Sequence, residues 1–199
     1  MAGKLIVTPS QTVGPFFHLA LDRPDWADLT TGNPTGERIV VEGRVIDGDG
    51  AAVGDACLEL WQANAAGRYR HPVDQHDAPL DPNFDGVGQV VTNERGEYRF
   101  LTIKPGAYPW RNTPNSWRPA HIHFGVFGPA FATRLITQMY FPGDPLLALD
   151  AIFLGTPDKA ARERLISSYD PNLSEAEWAR GSRVDIVLRG REATQMESV

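Results

Sequence analysis

His121 and His123 stand one residue apart in NSWRPAHIHFGVFG, residues 115–128, of a chain with five histidines. On a β-strand successive side chains alternate faces, so both imidazoles point one way with Gly125 while Ile122, Phe124 and Val126 fill the other face. Such a pair can give a metal two neutral nitrogen donors. The spacing suits two structural histidines bonded to carbonyls or carboxylates equally well, and by itself leaves both readings open. A metal needs further donors, and no Asp or Glu lies close by in sequence. What lies upstream is KPGAYPWRNTPNSWRPAHIHF, with Tyr108, Trp110, Arg111, Trp117 and Arg118 in a stretch too rich in proline for a regular element. That loop is either the wall of a pocket for a flat, anionic ligand or a cover over a sheet edge. His18, His71 and His76 have no comparable spacing and read as structural.

The elements that must hold these residues are strands. At 199 residues, 42% hydrophobic and 22% charged, the chain has the composition of an ordinary globular protein able to bury one core. Sixteen prolines and nineteen glycines cut it into short segments. ERIVVEGRVIDGDGAAVGDACLELWQ reads as strand, turn at DGDG, strand; GQVVTNERGEYRFLTI repeats the plan around NERG. AHIHFGVFG and TRLITQMYF form another antiparallel pair, and SRVDIVLRG is a closing strand. One helix is expected, with Thr156 as N-cap, Pro157 in the first turn and Ala161, Leu165 and Ile166 as its apolar stripe. The expected fold is all-β: an antiparallel sandwich over residues 36–199, preceded by an arm, residues 1–35, that packs on it or at a subunit interface. Long loops, Asn64 to Gly88 and Pro105 to Pro119, carry the chemistry.

The net charge of −6, without a Lys/Arg-rich block, argues against nucleic acid or an anionic membrane as the main partner. No apolar run approaches a membrane span, and the first residues lack the pattern of a signal peptide, so the expected location is the cytoplasm. Cys57 is the only cysteine, which excludes a disulfide within the chain and a cysteine-built metal site.

In order along residues 36–192, GERIVVEGRVIDGDG, LELWQANAAGRYRH, APLDPNFDGVG, TIKPGAYPWRN, WRPAHIHF, ATRLITQMYFPGDPL and DIVLRGR resemble the intradiol ring-cleaving dioxygenases, above all the catalytic subunits of their protocatechuate-cleaving branch. The resemblance implies non-haem Fe(III), one per catalytic chain, no organic cofactor, and cleavage of a catecholic ring by O2. Protocatechuate is the expected substrate and 3-carboxy-cis,cis-muconate the product. All four electrons for O2 come from the substrate, so no external reductant is needed. Carried over residue by residue, the ligands are Tyr69 of GRYRH, Tyr108 of AYPW, and His121 and His123. The charges agree: a phenol ionises near about pH 10, but a trivalent cation displaces its proton at neutral pH. Two phenolates and a hydroxide then balance Fe(III).

The same resemblance makes Arg118 the group that stabilises charge on bound catecholate, and Gln138 a polar residue on the oxygen side. Trp61, Trp110 and Ile152 shape the ring pocket, with ordinary core packing an equal reading for Trp61 and Ile152. Tyr98 and Tyr140 read as packing aromatics. Tyr108, on a proline-bounded loop, is the ligand expected to leave when substrate binds and to carry a substrate proton.

There are departures. TPSQTVGPFFHLAL resembles the start of the family's noncatalytic partner subunit, and its Gly14 and Pro15 match a segment near the substrate at a subunit interface, or else form a simple turn. Where the partner carries FARG, this chain has FGPA, so an arginine tied to carboxylate recognition is missing; Arg134 and Lys104 are the candidate substitutes. Either a second homologous chain completes the pocket or the chain assembles with itself. Two rivals remain at this stage. Catechol and hydroxyquinol 1,2-dioxygenases share the iron site but usually carry a helical N-terminal domain. Transthyretin-like modules share the sandwich without catalysis, and have no use for the four ligands together.

Overall fold

The structure is a computed structural model that describes residues 27–110, 116–128 and 134–188. Gly14, Pro15, His18, Arg111, most of the arm and the last two residues of FGPA lie outside the described residues. Two sheets face each other across one core. The first joins β4 (Glu97–Ile103) antiparallel to β1 (Arg38–Ile46), then β10 (Arg180–Arg183) and β11 (Ile186–Val187) parallel to β1, with β9 (Ser168–Tyr169) on β10. The second runs β3 (Val87–Val91), β2 (Cys57–Gln62), β7 (His121–Phe127), β8 (Arg134–Tyr140), antiparallel throughout. A third, small pair joins β5 (Tyr108–Trp110) to β6 (Ser116–Arg118). Ile39, Val41, Val45, Phe100 and Ile103 of the first sheet meet Leu58, Leu60, Ile122, Phe124, Val126 and Met139 of the second, and burying these apolar faces is the main term holding the sandwich.

The all-β reading stands, and β7 pairs with β8 as expected. Four details differ. The turns at DGDG and NERG form, with Asp47 and Asn93 side chains each accepting two backbone N–H groups. Yet neither closes a hairpin between long strands: β1 and β2 lie in different sheets, as do β3 and β4. After the first turn Val53 donates back to Val45, and the chain then crosses to the other sheet. The closing strand pairs in parallel, interrupted where the Val184 carbonyl turns to accept from the Tyr98 hydroxyl at 2.6 Å. It passes over Gly43, where a Cβ would stand 1.7 Å from that carbonyl oxygen. Tyr98 is thus the packing residue it was read to be.

The expected helix is shorter and starts later. Asp158, not Thr156, caps it, accepting from Ala160 at 2.8 Å, and α2 covers only Lys159–Glu163. It stops because Leu165 and Ser167 pair with the backbone of Tyr140, which extends the edge of β8. A second short helix, α1 (Ala151–Leu154), follows a 3-10 turn at Pro145–Ala148. Of the arm, Ala27 and Leu29 bond to Leu101 at the edge of β4. Among the described residues no helix is long and apolar enough to cross a membrane.

Candidate metal centre

Strand alternation does the first placement. On β7 the apolar residues turn to the core, and His121 and His123 turn to the sheet's other face, both buried. Trp61 of β2 and Gln138 of β8 flank His123 in register; Tyr140 stands beside His121. The two loops then arrive over that face. Asn64 organises the first, accepting from Ala66 and Arg68 with its side chain and from Gly67 and Gly106 with its carbonyl. Gly67 has φ +79°, and a Cβ there would lie 2.1 Å from the Ala107 carbonyl oxygen. Only a glycine allows this approach, which sets Tyr69 beside Tyr108 with ring centroids 5.3 Å apart.

The second loop holds a regular element after all. Its prolines leave room for the β5–β6 pair, whose register puts Tyr108 directly opposite Arg118. Alternation also turns Trp117 outward, so it is exposed and no part of a pocket wall, while Arg118 is buried. Trp110 shares the Tyr108 face of β5.

The donor atoms converge. His121 Nε2 is 3.2 Å from His123 Nε2 and 3.4 Å from the Tyr108 hydroxyl. His121 Nδ1 lies 2.7 Å from the Pro119 carbonyl, to which it can only donate, so Nε2 carries a lone pair. His123 Nδ1 is buried without a hydrogen-bond partner among the described residues. Two nitrogens held about 2.1 Å from one ion stand about 3.0–3.4 Å apart at bond angles near 90–110°. The donors therefore have the spacing of ligands to one cation. Among the described residues no group of three His, Cys, Asp or Glu could hold a metal; the oxygen that stands beside the imidazoles is the Tyr108 hydroxyl. Tyr69 is buried, stacked on Trp61 at 5.6 Å, and its backbone N–H donates to Asp74 at 2.8 Å. Tyr108 is only partly buried.

Burial raises both phenols, Tyr69 well above its ordinary value with Tyr108 adding to the rise, and the nearby Arg118 guanidinium offsets this only in part. Desolvation, then Arg118, lowers both imidazoles, His123 to about 3. Both are therefore neutral, as ligands must be. The sign for stability follows: below about pH 6.5 the unfolded chain binds protons that the folded chain refuses, so stability present above that pH is lost on acidification. Between pH 7 and 5, above the carboxylate range, the two imidazoles together cost on the order of 3 kcal/mol. The metal-free protein is expected to melt about 6–12 °C lower at pH 5 than at pH 7. A melting temperature that stays flat across that window contradicts neutral burial.

Arg118 is the hub. Its Nη2 donates to Gln138 Oε1 at 2.7 Å, Tyr140 Oη at 3.2 Å and Asp150 Oδ2 at 3.1 Å, and its Nε pairs with Asp150 Oδ1 at 3.0 Å. Tyr140 also donates to Gln138 Oε1 at 2.8 Å. Tyr140 packs as read, against Phe153 and Leu165, but packing is not all it does: its hydroxyl joins the Arg118 network, and its ring lies 5.8 Å from that of His121. Period-two alternation from Gln138 was the signal for it. Asp150 was also missed. Ile152, on α1, donates its N–H to Asp150 and reaches the site through it. Arg134 and Lys104 are not brought in: Arg134 stands four residues along β8 from Gln138, about 13 Å, over Phe127, and Lys104 lies over Phe141. His76 binds Asp74 at 2.8 Å, a structural role.

This fold and donor set define a class, and comparison agrees: the chain belongs to the intradiol ring-cleaving dioxygenases and is an enzyme of that kind, the family model described as Dioxygenase matching residues 13–190. It is 65% identical over 193 residues to the protocatechuate 3,4-dioxygenase beta chain of Burkholderia cepacia, across 94% of this chain and 78% of that one. It is 33% identical to the protocatechuate 3,4-dioxygenase alpha chain of Pseudomonas putida, over 67% of this chain and 69% of that one. Among solved structures, the dioxygenase domain of a dioxygenase carbohydrate-binding fusion from Streptomyces sp. SirexAA-E superposes with TM-score 0.66 at 28% identity, covering 92% of this chain and 99% of that one. The family implies non-haem iron in general.

Proposed function

We propose that the chain cleaves protocatechuate (3,4-dihydroxybenzoate) with O2 between the two hydroxyl-bearing carbons, giving 3-carboxy-cis,cis-muconate. Tyr69, Tyr108, His121 and His123 hold one Fe(III) per chain. The observation that carries this is the approach of His121 Nε2 to His123 Nε2 at 3.2 Å and to the Tyr108 hydroxyl at 3.4 Å, beside a buried guanidinium. The 65% identity to a protocatechuate 3,4-dioxygenase chain supports the choice of ring. Ferric iron, when bound, activates a catecholate toward O2.

The chain's own residues supply the rest. Tyr69, pinned under Trp61, would be the fixed phenolate; Tyr108, less buried on a three-residue strand, would be the one to give way to substrate and take its proton at Oη. Arg118 aims its charge at the oxygens where negative charge develops, and Gln138 and Tyr140 hold it there. Trp110 and Ile152 border the ring. Carboxylate recognition is left to a homologous subunit: the relatives include both beta and alpha chains of protocatechuate 3,4-dioxygenases, which supports an assembly of two kinds of chain. The cytoplasm, where Cys57 stays reduced, is the location this reading carries.

The test is O2 uptake by the iron-loaded chain, alone and with an alpha-type partner, on protocatechuate, catechol and hydroxyquinol. Protocatechuate is expected to give the highest kcat/KM, equimolar O2 consumption and 3-carboxy-cis,cis-muconate. A preference for catechol or hydroxyquinol overturns the substrate; a semialdehyde product overturns intradiol cleavage itself.

A further inference from the structure

Asp150 is among the most enclosed carboxylates of the chain, with a side chain 0% exposed beside an Arg118 side chain 3% exposed. A buried ion pair is weak evidence for stability, since an apolar pair of similar volume often does as well. Its geometry says more. Both oxygens of Asp150 approach one edge of the guanidinium: Oδ2 accepts a hydrogen bond from Nη2, and Oδ1 stands 3.0 Å from Nε as an ion-pair contact without a hydrogen bond. The same oxygens accept the Ile152 and Phe153 N–H groups at 3.3 and 3.4 Å, as the N-cap of α1. The carboxylate is therefore held by backbone as well as by its partner. Gln138 and Tyr140 engage the same Nη2. The hydrogen bonds that the guanidinium donates to Gln138, Tyr140 and Asp150 all leave from Nη2, and the β5–β6 register sets Tyr108 opposite Arg118.

We infer that Asp150 is a positioning residue for ring cleavage: it fixes the plane and direction of the Arg118 guanidinium, and through α1 it ties that direction to the place of Ile152. The inference rests on the reading of Arg118 given above. It predicts that charge at Arg118 is not enough, and that the two-point grip is what sets turnover.

Asp150→Asn separates the roles. Asn caps helices as well as Asp does, so α1 keeps its start. Its amide nitrogen, however, presents a donor where the guanidinium also donates, and the two-point grip is lost. The iron-loaded variant is expected to keep its iron content and visible spectrum, to lose kcat by on the order of 10- to 100-fold, and to hold KM for protocatechuate within about threefold. In an Arg118→Ala background the same substitution is expected to cost nothing further, which a purely structural Asp150 does not predict. Arg118→Lys carries the test if Asp150→Asn proves too unstable to purify: the ammonium keeps the charge without the fork, and kcat should fall comparably. Native kcat in Asp150→Asn or in Arg118→Lys overturns the inference, as does a full additional loss on top of Arg118→Ala. If Arg118→Ala itself turns over normally, the fault lies with the role of Arg118 and not with Asp150.

Discussion

Arg118→Ala protein is expected to keep its iron, to lose turnover by on the order of 100- to 1,000-fold, and to melt well below the parent. The loss of rate follows from removing a cation aimed at developing charge in a water-poor pocket. The loss of stability has a separate cause. Asp150, 0% exposed, is left with an uncompensated charge, which costs about 3–5 kcal/mol, or roughly 10 °C in a chain of this size. Iron is expected to stay because Tyr69 and His121 have anchors other than the guanidinium. Tyr69 is held by Trp61, and His121 by Pro119. Arg118 does lower both imidazoles, but desolvation comes first and keeps them neutral without it. Near-native turnover removes Arg118 from the chemistry. An unchanged melting temperature shows that Asp150 is protonated or hydrated once its partner is gone.

Tyr69→Phe and His123→Ala are expected to abolish activity by a different route, the loss of iron. Tyr69→Phe is the cleaner of the two. The ring and its stack on Trp61 survive, so stability should move by no more than about 1 kcal/mol while a metal donor disappears. His123→Ala removes a donor and also opens a cavity on the site face of β7, adding a stability cost of about 1–3 kcal/mol. In both variants metal analysis should find iron far below stoichiometric, and excess ferric iron should not restore the parent rate. Tyr69→Phe protein with full iron and native turnover excludes Tyr69 as a ligand. The contrast with Arg118→Ala is diagnostic, because there iron stays and rate goes.

What the sequence made legible was local. The β7–β8 pair joins strands adjacent in the chain, and the two histidines follow from alternation on one of them. The same alternation from Gln138 points to Tyr140, yet the sequence showed only its packing and not the bond of its hydroxyl with Arg118. The partners of β1 and β2 were not legible, since the turn at Asp47 closes with the same bonds whether or not the chain crosses to the other sheet afterwards. Nor did proline content exclude the β5–β6 pair, where Pro109 sits in a short strand and costs one N–H. Tyr69 and Tyr108 came from resemblance alone: their meeting depends on Gly67 passing against Ala107, a contact between distant loops with no periodic signal. Asp150 was missed in the sequence, since its partner Arg118 stands 32 residues away.

The central claim is a ferric ion on two phenolates and two imidazoles, and the visible absorption of iron-loaded protein tests it most directly. Phenolate-to-Fe(III) charge transfer colours such a site burgundy red, whereas an iron site of imidazoles and carboxylates lacks the band. The account predicts a broad visible band in proportion to bound iron, weakened in Tyr108→Phe protein that still holds metal. Protein fully loaded with ferric iron and colourless contradicts it.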